Sequence, residues 1–166
     1  MFWKKKPSTP AVKSDQDDAG IYKLLFDNAG VGIFETTPSG RFVRANAKMA
    51  EILGYSSPEE VVKEVQDVAL KHYFSPEERQ SFLDAIAAEH RLDGYLSRNR
   101  KISGEQIWLR VSAVAVNGPD GDIACFIGTS QDVTDLIETQ EELRQQKTDY
   151  ERLYNNSAEG VYRSNP

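Results

Sequence analysis

The chain has 166 residues, enough for one domain with a proper core plus extensions but too few for two full domains. Its 20 Lys+Arg against 26 Asp+Glu give a net charge of −6, so no general field attracts nucleic acid or anionic lipid, and nucleic-acid binding is not expected. A single cysteine, Cys125, can close no internal disulfide and build no cysteine zinc site, which fits a reducing compartment and a cytoplasmic protein.

No apolar run of signal-peptide length follows M-F-W-K-K-K-P-S-T-P, and no stretch approaches the roughly 20 apolar residues of a membrane-spanning helix. Residues 1–16 lack periodicity and are expected to form a disordered tail. Residues 17–30 place Ile21, Leu24, Leu25 and Asn28 at helical spacing behind two aspartates that suit a helix N-terminus, which predicts an amphipathic helix leading into the domain. The domain itself is expected over 31–134. Its first strands, 32–37 and 41–45, are joined by a Pro-Ser-Gly turn, and Asn46 is placed to cap a helix that directs Met49, Ile52 and Leu53 inward and ends at Gly54.

Two further helix starts share one chemistry, Ser57-Pro58-Glu59-Glu60 and Ser75-Pro76-Glu77-Glu78, with serine as cap, proline at the first helical position and glutamate to return a bond to the cap. The second opens a helix whose apolar face is read as Phe82, Leu83, Ile86 and Ala87. Strands follow at 94–101 and 107–116. In the latter, Ile107, Leu109, Val111, Ala113 and Ala115 alternate with more polar neighbours and should face the core. The turn N-G-P-D-G-D returns the chain as a last strand on which Phe126, Gly128 and Ser130 share one face. The predicted order is β-β-α-α-α-β-β-β, then a helix over 135–154 capped by Thr134. Leu136, Leu143 and Tyr150 follow a 3-4 spacing there, interrupted by Gln140 and Lys147, so this is read as a weak coiled coil for a homodimer or as a solvated connecting helix.

The run from Tyr150, Y-E-R-L-Y-N-N-S-A-E-G-V-Y-R-S-N-P, repeats without a gap the run from Tyr22, 128 residues earlier, with identities at Tyr22/Tyr150, Leu25/Leu153, Asn28/Asn156, Gly32/Gly160 and Pro38/Pro166. Residues 155–166 are therefore expected to be the truncated start of a second copy, with an output domain further along the full-length protein.

Taken together, Gly32, the P-S-G turn, R-F-V-R-A-N, I-L-G-Y, S-P-E-E-R, G-E-Q-I-W-L-R-V-S-A and Q-D-V-T resemble a bacterial PAS domain over about residues 22–134. The resemblance implies an α+β fold, a five-stranded antiparallel sheet with short helices on one face and flanking N- and C-terminal helices. It also implies a pocket between sheet and helices and a role in a signalling protein such as a sensor histidine kinase or diguanylate cyclase.

The pocket candidates are Val111, Ala113, Phe126, Gly128 and Ser130 on the sheet with Ile52, Leu83 and Ile86 on helices, either as space for a small organic ligand or as a filled core. Asp132 and Thr134 are the candidates for coupling the last strand to the helix that follows. Flavin photochemistry in this family needs a cysteine in a helical N-C-R-F-like segment, and Cys125 lies in a strand, so it is not expected. Haem is not expected either: of His72 and His90, His90 ends the long helix near the place haem-binding relatives use, but L-D-G-Y-L follows out of position, and a surface histidine is the better reading. No phosphate-binding glycine loop, nucleophile set or metal-ligand spacing is found, so this segment is read as a non-enzyme without a metal site. The alternatives are a ligand-free dimerisation and relay domain and, more remotely, a haem gas sensor.

Overall fold

Strict alternation along β4 places Ile107, Leu109, Val111 and Ala113 on one buried face, and that face is the floor of the core. A computed structural model describes residues 15–161, with side-chain surroundings for 19–154. The element order is α1 (Asp15–Asp27), β1 (Gly32–Thr36), β2 (Phe42–Ala45), α2 (Ala47–Leu53), α3 (Pro58–Glu64), α4 (Val68–Lys71), α5 (Pro76–Glu89), β3 (Arg91–Arg100), β4 (Gln106–Asn117), β5 (Ile123–Asp132) and α6 (Thr134–Val161). The strands form one five-stranded antiparallel sheet in the order β2-β1-β5-β4-β3, so the last strand to be made lies at the centre. This is the α+β architecture expected from the sequence, with one additional short helix.

Local chemistry sets most helix boundaries. Asn46 accepts from the Met49 amide, Ser57 from Glu60 and Ser75 from Glu78, while proline opens α3 and α5. The glutamate Glu60 returns its bond to the amide of Ser56, one residue before the cap it was expected to serve. Gly54 closes α2 in the left-handed conformation at φ 83°. The unexpected α4 is too short to show a period; Asp67 holds its first amides, at Ala69 and Leu70.

The helices are strapped to the sheet by backbone bonds from Val68 N to Gly40 O and from Arg100 N to His72 O. Gly40 combines φ 88° with a close approach, since a Cβ there would meet Val68 Cγ1 at 2.9 Å. The Arg100 guanidinium donates to the carbonyls of Tyr73 and Phe74, and Arg98 pairs with Glu78 at 2.7 Å, which fixes the segment from α4 into α5 over β3.

At the ends of the chain the expectations meet different outcomes. Residues 1–14 of the expected tail lie outside the described residues, whereas Asp15 and Gln16 already belong to α1. The apolar residues of α1 are not covered: Ile21, Leu24 and Leu25 are exposed. Beyond Tyr154, α6 continues to Val161, past the expected end, and residues 162–166 of the anticipated second copy lie outside the described residues. In the two runs Tyr22 stacks on Phe26 at 6.0 Å and Tyr150 on Tyr154 at 6.4 Å, but Gly160 and Val161 are helical where their counterparts Gly32 and Ile33 open β1.

Asn46 is fully buried, and its side chain accepts from Ile33 N and Met49 N and donates to the carbonyls of Phe26 and Val31. Asn46→Ala leaves these backbone groups unpaired and should destabilise the domain by about 2–4 kcal/mol. Chemical denaturation will show this as a lower midpoint at unchanged slope, with Asn46→Asp, which keeps the two accepting bonds, falling between.

Candidate functional site

Between the sheet and helices α2, α4 and α5 lies a cavity of about 40 Å³, bordered by Phe34, Thr36, Phe42, Met49, Leu53, Val68, His72, Tyr73, Arg79, Phe82, Asn99, Leu109, Val111 and Ser130. About one probe sphere of roughly 10–15 Å³ accommodates a water, so the space is that of a few water-sized atoms. Its apolar walls come from the alternating faces of β1 and β4 and the inward residues of α2, and its polar groups come from His72, Tyr73, Arg79 and Asn99, where α4 and the start of α5 meet β3, and from Thr36 and Ser130 on β1 and β5.

Of the sequence-predicted pocket residues, Val111 and Ser130 border this cavity. Ile52, Leu83, Ile86, Ala113, Phe126 and Gly128 do not. At Gly128 the Phe34 ring occupies the space: a Cβ there would meet Phe34 Cζ and Ala113 Cβ, each at 2.9 Å, and Ser112 O at 2.5 Å. Phe126 is packed edge-on against Phe82 at 5.9 Å, Ile86 is fully buried in the core, and Ile52 lies against β1 at Gly32. Leu83 sits partly buried at the rim of the core.

The buried face of α5 is not the expected Phe82, Leu83, Ile86 and Ala87. Its buried residues are Arg79, Phe82 and Ile86, whereas Ala87 is exposed. The register i, i+3, i+7 puts an arginine where an apolar residue is the rule, and that substitution is the signal in the sequence that could have marked the site. Arg79 Nη1 lies 3.5 Å from the Tyr73 hydroxyl and Nη2 lies 3.4 Å from Pro38 O, while the rings of Tyr73, Phe82 and Phe126 stand 5.3 to 5.8 Å from the guanidinium carbon. Burial pushes the Tyr73 phenol up, and the neighbouring guanidinium draws it partly back.

His72 is buried, which its sequence context did not reveal; His90 is exposed and ends α5 at φ 59°. The His72 Nδ1–H donates to the Arg100 carbonyl at 2.8 Å, so Nε2 is the acceptor for the Tyr55 hydroxyl at 3.0 Å. Both nitrogens are thus committed to protein partners. Asn99 on β3 presents a buried Oδ1 without a partner, and so does Ser97 Oγ beside it. No group of three or more potential metal ligands is gathered among the described residues.

The proposed coupling residues are brought together where β5 becomes α6. Asp132 accepts from the Thr134 amide at 3.0 Å and from its hydroxyl, and the same hydroxyl accepts from Trp108 N of β4 at 2.9 Å. Val133 N donates to Trp108 O at 2.9 Å and Val133 O takes the first helical bond, from Ile137. Thr134 was expected to cap the helix. Instead Asp132 holds the first amide, and Thr134 ties the helix to the neighbouring strand.

With this geometry in hand, the family is decided by a match of the PAS domain model to residues 30–135. The chain belongs to the PAS domain family. This PAS domain is 27% identical over 141 residues to the bacterioopsin transcriptional activator of Halobacterium salinarum, covering 83% of this chain and 21% of that protein. It resembles the structure of an RNA-binding light-oxygen-voltage receptor with TM-score 0.65 and 25% identity, over 86% of this chain and 41% of that one. It also shares the fold of a PAS domain from Colwellia psychrerythraea with TM-score 0.60 and 20% identity, over 72% of this chain and 99% of that one. The chain thus spans about a fifth of the transcriptional activator. PAS domains are sensory modules, and domains of the same fold occur in sensor histidine kinases. No helix among the described residues is long and apolar enough to cross a membrane.

Burial holds the His72 pKa below the ordinary 6.5, with the Arg100 carbonyl offsetting part of the effect. The unfolded chain therefore takes up this proton first as pH falls through about 6.5. His72 should contribute no pH dependence well above that value and a loss of stability below it. In an NMR titration the His72 ring signals should still be largely unprotonated at about pH 6.5, and His72→Gln should flatten the fall in unfolding free energy below about pH 6.5.

Proposed function

We propose that this PAS domain is a cytoplasmic sensor and relay module: a small molecule occupies the cavity and the change is passed through α6 to an output domain. The observation that carries the reading is the Trp108–Thr134–Asp132 junction, which joins the first turn of α6 to β4 and β5. Both strands also border the cavity, through Leu109 and Val111 on β4 and Ser130 on β5. A shift of either strand therefore acts on the helix start through short hydrogen bonds rather than through a flexible linker. Asp132 and Thr134 are the coupling residues in this scheme.

In the same reading α6 is the dimer helix. Leu136, Leu143 and Tyr150 are all exposed along it, and so are Ile21, Leu24 and Leu25 on α1, so both flanking helices offer apolar side chains that the domain itself leaves uncovered. A homodimer through these helices would suit a sensor histidine kinase or a diguanylate cyclase, which work as pairs. A domain that only dimerises and relays, with the cavity empty, is the second reading, favoured by the small size of the cavity.

Two outcomes test the scheme. Thr134→Val should free the Trp108 amide and raise its hydrogen-exchange rate about tenfold, as the loss of one hydrogen bond predicts, while the amides of β1 and β2 stay protected; equal protection in the variant would remove the junction from the relay. Leu143→Asp should lower the mass measured by light scattering from dimer to monomer with the circular dichroism of the fold unchanged, and an unaltered mass would exclude α6 as the interface.

A further inference from the structure

The cavity wall carries a cation for which the described residues supply no counterion. Arg79 is only 7% exposed, yet it takes part in none of the ion pairs among the described residues. A guanidinium has five N–H donors. Here two of them find oxygens, both at the outer limit of hydrogen bonding, at 3.5 and 3.4 Å. The aromatic rings around it stabilise the charge without saturating the donors. On the same cavity Asn99, 5% exposed, has an unpartnered Oδ1. Buried polar groups are almost always paired in folded proteins, so the uncompensated guanidinium indicates an anion that is not part of this chain, while the Asn99 oxygen, an acceptor, needs a donor that an anion does not bring.

The chemistry of that group is constrained by the rest of the wall. Water could satisfy Asn99 but would leave the charge of Arg79 uncompensated. His72 adds no second cation, because its neutral ring has Nδ1 and Nε2 committed to Arg100 O and Tyr55 Oη. One positive charge therefore faces the space, and a planar guanidinium matches a carboxylate through two parallel N–H to oxygen bonds. Of the remaining border Phe34, Leu109 and Val111 are apolar while Thr36 and Ser130 bring hydroxyls, and a volume of about 40 Å³ limits the ligand to a few heavy atoms. Resting on the reading of the cavity as a ligand site, we propose that it binds a small monocarboxylate of two or three carbons, ion-paired with Arg79 and with its alkyl end against Phe34, Leu109 and Val111.

The test compares sodium propionate, propionamide, 1-propanol and sodium chloride on the full chain, read by thermal unfolding and by the NMR signals of the Arg79 side chain and of Thr36 and Ser130. Propionate should raise the unfolding temperature saturably and move the Arg79 Nε–H signal, the amide, the alcohol and chloride should not, and Arg79→Gln should weaken propionate binding at least tenfold. Equal binding of propionamide, equal effect of chloride, or retention of propionate affinity in Arg79→Gln would each overturn the carboxylate assignment and leave the cavity as a site for another ligand. If none of the probes moves the signals of Thr36 and Ser130, the carboxylate proposal and the ligand-binding reading fall together, and the ligand-free relay remains. Should Arg79→Gln fail to fold, the comparison of propionate with propionamide on the native chain decides, with Ser130→Leu, which fills the cavity from β5, expected to abolish the propionate effect.

Discussion

The side-chain amide of Asn46 is bonded on every side: its oxygen accepts from Ile33 N at 2.8 Å and Met49 N at 2.9 Å, and its nitrogen donates to Phe26 O at 2.9 Å and Val31 O at 3.0 Å. One residue thereby fixes the end of α1, the start of β1 and the first turn of α2, while its own backbone N–H completes the hairpin to Ile33 O. A buried carboxamide can be kept only when donors and acceptors are all met, and meeting them forces the three elements into one arrangement. The position of α2 over the sheet, and with it the Met49 and Leu53 side of the cavity, follows from that arrangement. The same carboxamide holds the end of α1 to the domain, although the apolar side chains of that helix are exposed.

A second constraint comes from chain order. β5 is the last strand and the central one, paired with β1 on one side and β4 on the other. The sheet cannot close until residues up to Asp132 are in place, and Thr134, which begins α6, is hydrogen-bonded to β4 at the point where the pairing ends. The helix is therefore an extension of the sheet's own hydrogen-bond ladder. Displacement of β5 against β4 changes the partners of Thr134 directly, whereas a change confined to α3 reaches α6 only through the core.

What could be read in the sequence was what local chemistry decides. Asn46, Ser57 and Ser75 as caps, Gly54 as a terminator and the alternation of Ile107, Leu109, Val111 and Ala113 depend on neighbours a few residues away, and each holds in the structure. The cavity was less legible because it depends on which distant side chain reaches a given space. Gly128 and Ala113 looked open in a strand pattern, and the Phe34 ring from β1 fills that space. The helix α4, four residues long, has no period to detect, and the burial of His72 next to it depends on the Arg100 carbonyl across the sheet. Arg79 was passed over because an arginine inside a helix is ordinarily a surface residue; only the positions of Phe82 and Ile86 reveal that it shares their face.

The polar groups around the cavity divide into two kinds, and the division bears on whether the space is a packing defect. Tyr55, His72 and the Arg100 carbonyl form a chain in which every member has a partner at 2.8 or 3.0 Å, and such a chain serves to hold α4 on β3. Arg79 and Asn99 are as deeply placed but incompletely paired. Apolar residues of similar volume at those two positions would fill the core at no cost in unsatisfied groups and, by the behaviour of buried ions elsewhere, would commonly give a more stable domain. A void left by imperfect packing is expected to be lined by apolar atoms, since nothing else is tolerated there without a partner. A space that has a guanidinium and a carboxamide on its wall, close to a fully satisfied polar network, has instead the composition that the proposed ligand site requires, in which the partner of Arg79 would arrive with the ligand.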